Sequence, residues 1–125
     1  NNAYYYPYTL DLEIMQKAAT IIKEYFDFTS FSKRNTQVKS FNCDIQESHW
    51  IVEGECFVFQ VKANRFLRGM VRALVATMLK VGRNKTNLDN FRAIIQSQDC
   101  TLADFSAPPN GLFLVQVTFS NNYFN

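Results

Sequence analysis

Between Trp50 and Val81 the apolar residues change their period, and this limits what the chain can fold into. From Trp50 to Ala63 they alternate, with Phe57, Phe59, Val61 and Ala63 facing one way and Val58, Gln60 and Lys62 the other. That two-residue repeat predicts a half-buried strand. From about Asn64 onward the spacing becomes three and four, with Leu67, Val71, Leu74, Val75 and Met78 on one side. The second pattern predicts a long helix to Val81, with Gly82 as its C-terminal stop. A strand that runs into an amphipathic helix has one face for the helix to cover and two edges for other strands to pair with. The chain must therefore build a layered fold of sheet and helix.

The remaining segments supply those partners. Leu10 to Phe26 carries a helical stripe of Met15, Ala18, Ala19, Ile22 and Phe26, with Asp11 and Glu13 near the positive end of its dipole. Residues 27–32 read as a loop whose Phe28 and Phe31 either anchor it to the core or stack on bases, followed by a basic turn, Lys33-Arg34-Asn35. Val38 to Glu47 alternates with Phe41, Cys43 and Ile45 on one face, and Ser48-His49 predicts a hairpin turn. Asn87 is placed to cap a helix through Gln96, with Phe91, Ile94 and Ile95 inward. A rigid turn at Ala107-Pro108-Pro109-Asn110-Gly111 precedes a last strand, Leu112 to Phe119. The expected order is α-β-β-α-α-β, an α+β fold with an antiparallel sheet and helices on one face. Residues 1–9, rich in Tyr, form an irregular lead-in, and residues 10–125 form one domain. Twelve Phe and an apolar fraction of 47% are enough for a packed core. No apolar run approaches the roughly 20 residues of a membrane span, and no signal peptide is visible. Three widely spaced cysteines fit neither a disulfide framework nor a zinc site, and they point to a reducing cytoplasm.

Charge is distributed unevenly. Residues 62–92 hold eight of the thirteen Lys and Arg against one acid, Asp89, so this segment carries +7 and the remainder −5. Advancing about 100° per residue, Arg68, Gly69, Arg72, Ala76 and Lys80 fall within about 60° of Arg65. Such a face is either solvated or offered to a polyanion or carboxylate. Two details favour a ligand. No acid sits three or four residues away along the helix, and arginine, with its planar fork of donors, occupies the first three positions. His49 is the only histidine and falls in the expected hairpin turn, so no Ser/His/Asp or Cys/His pair with a plausible register is available. No Gly-rich phosphate loop and no acidic metal cluster is present, so no cofactor or metal is expected.

Three motifs carry a resemblance. Ala63-Asn64-Arg65-Phe66-Leu67-Arg68-Gly69-Met70-Val71-Arg72, continuing to Leu79-Lys80-Val81-Gly82-Arg83-Asn84-Lys85, is the most specific. Asp27-Phe28-Thr29-Ser30-Phe31 precedes it, and Ala107-Pro108 with Gly111-Leu112-Phe113-Leu114 follows. Together they resemble the C-terminal half of TruA-type tRNA pseudouridine synthases over nearly the whole chain. The resemblance implies two pseudo-repeated α+β halves with a cleft between them, a homodimer, tRNA as substrate and no cofactor. It implies isomerisation of uridine to pseudouridine in the anticodon stem-loop by an aspartate in a Gly-Arg-Thr-Asp segment. That segment is absent here, and none of Asp11, Asp27, Asp44, Asp89, Asp99 and Asp104 has its context. It further implies Arg72 as the ion-pair partner of that aspartate, Leu112 as an apolar wall beside the target base, and Arg65, Arg68, Arg83 and Lys85 on RNA phosphates. Asn64 is expected to fix the strand-to-helix turn. The chain departs from the family pattern at Phe26, where histidine is usual, at Ala76 and Asn84, where glycine is common, and at Gln98-Asp99-Cys100. The implied activity needs the missing half, so the chain alone is expected to be inactive. The alternative is a non-catalytic RNA-binding or dimerisation module.

Overall fold

The computed structural model describes residues 10–54, 56–106 and 113–119. The Tyr4–Tyr8 cluster, the turn at 107–111 and Leu112 lie outside the described residues. The elements are α1 (Leu12–Ile22), a 3-10 turn (Thr29–Phe31), β1 (Ile45–Glu53), β2 (Cys56–Ala63), α2 (Met70–Gly82), α3 (Leu88–Ser97) and β3 (Phe113–Phe119). This is the expected α-β-β-α-α-β order of an α+β fold. The sheet order is β1-β2-β3, with β1 and β2 antiparallel and β2 and β3 parallel. The sheet is therefore mixed rather than antiparallel. A tight turn forces antiparallel pairing between β1 and β2, whereas the route from β2 to β3 passes through two helices. Such a crossover returns the chain to the starting end of the sheet, and the strands run parallel.

The hairpin turn falls later than expected. Ser48 and His49 lie inside β1, opposite Val61 and Gln60, and the chain reverses between Glu53 and Cys56, which pair. Gly54 has φ +60, the left-handed backbone that a two-residue turn of this kind requires. Upstream, residues 38–44 form no strand of their own and are tied to the loop before them. Cys43 N–H donates to the Phe26 carbonyl at 2.8 Å, and Phe28 N–H donates to the Phe41 carbonyl at 3.0 Å.

The second shift matters more for function. The long helix begins at Met70, not at Asn64. Asn64 ties off the end of β2: its N–H donates to the Asp44 carbonyl at 3.2 Å, and its Oδ1 accepts from Asp44 N–H at 2.8 Å. Gly69 then takes φ +74, a conformation no helix interior tolerates. Arg65 and Arg68 therefore do not belong to α2, and the shared face expected for Arg65, Arg68, Arg72 and Lys80 does not form.

At its other end α2 runs through Gly82, so this glycine is not the stop. The stop is Asn84, at φ +62. Lys85 N–H donates to the Lys80 carbonyl at 2.9 Å and Asn84 N–H to the Val81 carbonyl at 3.0 Å, the paired bonds of a Schellman motif. Gly82 serves packing instead, since an added β-carbon there would lie 2.5 Å from Met15 Sδ.

α1 is shorter than its apolar stripe. Asp11 caps it by accepting from Ile14 N–H at 3.1 Å, and it ends at Ile22, so Phe26 leaves the stripe and is 60% exposed. α3 starts as expected, with Asn87 accepting from Asn90 N–H at 2.7 Å. Trp50 and Phe59, with ring centroids 5.2 Å apart, join Met15, Ile22, Leu74 and Met78 in the buried core between sheet and helices. Each large apolar side chain buried this way contributes about 1.5–3 kcal/mol. Gln16 of α1 reaches the outer edge of β1, accepting from Trp50 N–H at 2.7 Å and donating to its carbonyl at 2.8 Å. The helical cover stops short of β3. Val115 and Val117 pair with the buried Phe59 and Val61 and so share their face, yet both are 41% exposed.

Candidate functional site

Seven of the eight cations in the basic segment fall into three groups once the fold places them. The first group is paired. Lys62 Nζ lies 3.9 Å from Glu47, Lys80 Nζ lies 3.6 Å from Asp104, and Arg92 Nη1 lies 2.7 Å from Glu24. The Arg92 hydrogen bond holds the Glu24 carboxyl below the usual carboxylate range. Burial pushes the Asp104 carboxyl upward, but bonds from the Ser106 hydroxyl and N–H, with the Lys80 charge, bring it below its ordinary value. The acids absent along the helix are thus supplied across the fold.

The second group is Arg65. Its Nη1 donates to the Ser40 and Asn42 carbonyls at 2.7 and 3.2 Å, so its guanidinium holds the irregular segment before β1. The third group consists of Arg68, Arg72 and Lys85, which are exposed and make no ion pair with a described residue. Arg68 sits in the turn between β2 and α2, and Arg72 in the first turn of α2. The α2 N-terminus carries no side-chain cap and no acid in its first turn, so its dipole adds to the positive potential there. Arg83 is the C-terminal cap residue of α2, and its N–H donates to the Leu79 carbonyl at 3.0 Å. The structure thus brings Arg68 and Arg72 to one end of α2 and leaves Arg83 and Lys85 at the other.

The loop Asp27–Phe31 settles its aromatic residues inward. Phe28 and Phe31 are fully buried, and Phe31 packs 6.3 Å from Phe91, so these rings anchor the loop and do not face a ligand. Asp27 holds the loop by accepting from Thr29 N–H and hydroxyl at 3.0 and 2.6 Å and from Gln98 Nε2 at 2.9 Å. One functional candidate was missed in sequence. Lys33 and Arg34, read only as a basic turn, share a cavity with Arg68 and Phe105. The signal was the adjacent Lys-Arg pair, but nothing in the sequence shows which arginine it faces. His49 lies in β1, its Nε2 2.6 Å from Gln60 Oε1. Among the described residues no group of three His, Cys, Asp or Glu is placed to hold a metal ion. No described helix is long and apolar enough to cross a membrane.

The structure defines an α+β domain with Arg68 and Arg72 exposed at one end of α2 and without an ion pair among the described residues. Comparison with known proteins is more specific. The family described as tRNA pseudouridine synthase matches residues 25–120, and the chain belongs to it. The chain is 47% identical over 121 residues to the tRNA pseudouridine synthase A of Parabacteroides distasonis, covering 97% of this chain and 48% of that protein. It is 48% identical over 120 residues to the enzyme of the same name from Bacteroides thetaiotaomicron, covering 94% and 45%. The corresponding protein of Caldicellulosiruptor bescii is 37% identical over 119 residues, covering 95% and 49%. The chain therefore spans about half the length of the curated relatives it matches.

Proposed function

We propose that this chain is the C-terminal half of an enzyme that isomerises uridine to pseudouridine in the tRNA anticodon stem-loop. The observation that carries the reading is Arg72, exposed in the first turn of α2 without an acidic partner among the described residues, inside the matched family segment. In this reading the nucleophilic aspartate comes from the other half and Arg72 keeps it ionised, as a neighbouring guanidinium lowers a carboxyl pKa. Leu112 forms the apolar wall beside the flipped base. Arg68, Arg83 and Lys85 contact phosphates, while Arg65 acts mainly by holding the 40–42 segment. The exposed core-side face of β3, with Val115, Val117 and Phe119, supports the reading, because a second half would cover it. The enzyme works as a cytoplasmic homodimer without a cofactor.

The test is pseudouridine formation on an unmodified tRNA transcript. The chain alone yields none, and the enzyme containing both halves yields product. In that enzyme Arg72→Ala abolishes turnover with a modest loss of tRNA affinity. Product from the isolated chain, or parallel loss of turnover and affinity in Arg72→Ala, would refute the assignment of Arg72.

A further inference from the structure

A cavity of about 340 Å³ opens between three segments and is lined by Lys33, Arg34, Arg68, Cys100 and Phe105. We propose that it is a nucleotide subsite, distinct from the Arg72 position, that holds one RNA phosphate among the three cations with the attached base against Phe105. The proposal rests on the reading of the chain as part of a tRNA-binding enzyme and adds a contact to it.

Charge is the first argument. The lining carries three cations and no acid. Elsewhere in the fold Lys62, Lys80 and Arg92 each meet a carboxylate, but the side chains of Lys33, Arg34 and Arg68 meet none among the described residues. The Thr101 hydroxyl and N–H, which donate to Asp99 Oδ1 at 2.7 and 2.9 Å, hold the Asp99 carboxyl below its ordinary range with help from the Arg34 charge, but Arg34 and Asp99 form no ion pair. Like charges collected in one concavity repel one another unless an anion enters.

The second argument is that the walls are fixed. Lys33 N–H donates to the Arg68 carbonyl at 2.9 Å, and the Lys33 stem lies against Gly69 so closely that a β-carbon there would be 2.7 Å from Lys33 Cγ. The Lys33 carbonyl accepts from the Thr36 hydroxyl at 2.6 Å, which closes the turn. On the opposite wall Asp99 N–H donates to Ser30 Oγ at 3.1 Å and Asp104 N–H to Thr77 Oγ1 at 3.2 Å. The segment bearing Phe105 is thus tied to both the 27–32 loop and α2. A pre-formed site loses little entropy on binding.

The third argument is chemical mixture. Phe105 is half-buried and supplies an aromatic surface within a cationic wall. A phosphate alone needs no aromatic, and an apolar ligand needs no arginine; a nucleotide uses both. The volume is at the small end of the ~300–1,000 Å³ typical of ligand sites, which limits it to one nucleotide and excludes a duplex.

The experiment is fluorescence anisotropy of a labelled, unmodified tRNA transcript titrated with the chain between about 50 and 200 mM salt. Lys33→Gln/Arg34→Gln should weaken binding about tenfold at low salt and reduce the slope of log K against log salt by about one. Phe105→Leu should weaken binding about tenfold with the slope unchanged, because stacking releases no counterions. Lys17→Gln/Lys23→Gln, which removes the same charge from exposed positions on α1 and at its C-terminal cap, is the control. Melting temperatures establish that each variant folds. If the double variant behaves like its control, the proposal is overturned while the wild-type affinity leaves the tRNA reading intact. If Phe105→Leu binds like wild type, the nucleotide assignment is overturned. If the wild-type chain binds no tRNA, the RNA reading of this chain fails and the subsite fails with it.

Discussion

Gly69→Ala tests how the turn between β2 and α2 is held, and Gly54→Ala provides its reference. Both glycines have positive φ, +74 and +60, so alanine at either meets the left-handed penalty of about 1–2 kcal/mol. They differ in surroundings. At Gly54 nothing lies within 4 Å of an added β-carbon, whereas at Gly69 it would lie 2.7, 3.2 and 3.3 Å from Lys33 Cγ, Cε and Cδ. Lys33 cannot simply rotate away with its backbone, since its N–H is bonded to the Arg68 carbonyl at 2.9 Å. The added contact should cost about 1–3 kcal/mol, the range for forcing a methylene into occupied space. Gly54→Ala should therefore destabilise by about 1–2 kcal/mol and Gly69→Ala by about 2–5 kcal/mol. At about 4 °C per kcal/mol for a domain of this size, the two melting temperatures should differ by roughly 4–12 °C. Thermal unfolding followed by circular dichroism, with urea titration to verify an unchanged m-value, measures this. In a Lys33→Ala background the extra cost of Gly69→Ala should vanish and leave only the left-handed term. Equal effects of the two alanines, or a gap that survives Lys33→Ala, would refute the reasoning.

Other outcomes follow from single contacts. Gln16→Ala strips the Trp50 N–H and carbonyl on the outer edge of β1 of their side-chain partner, and should lower stability by about 1–3 kcal/mol in urea unfolding. Burial pushes the Cys43 thiol up to about 11, so in the folded chain at pH 8 Cys43 should resist iodoacetamide while Cys56 and Cys100, both partly exposed, are labelled; mass spectrometry of native and urea-unfolded samples reads this out. The Asp104 carboxyl, despite its burial, titrates below its ordinary value because Ser106 and Lys80 favour the anion. Its contribution to stability is therefore complete above about pH 4 and is lost as pH falls through the folded pKa, and Asp104→Asn should flatten that part of the pH–stability profile.

Much of the fold was legible because it depends on periodicity and caps. The alternation along Phe57–Ala63 became β2, the helical spacing after Met70 became α2, and Asn87 capped α3. Boundaries were not legible where a local feature competes with the pattern. The helical spacing extends back to Leu67, but Gly69 in a left-handed conformation and Asn64 bound to Asp44 stop the helix short. Parallel pairing of β2 with β3 was hidden because strand direction depends on where a crossover delivers the chain, which local sequence does not record.

The basic run divides the same way. The sequence alone determined that eight cations gather in residues 62–92 and that Arg72 lies in a family motif. Local composition and order carry those facts. Only the tertiary structure decided what each cation does. It sent Lys80 to Asp104 and Arg92 to Glu24, bound Arg65 to two carbonyls, left Arg72 exposed without an ion pair among the described residues, and brought Lys33 and Arg34 to Arg68. The physical reason is that an ion pair or a cavity depends on distance in space, and these partners lie tens of residues apart in the chain.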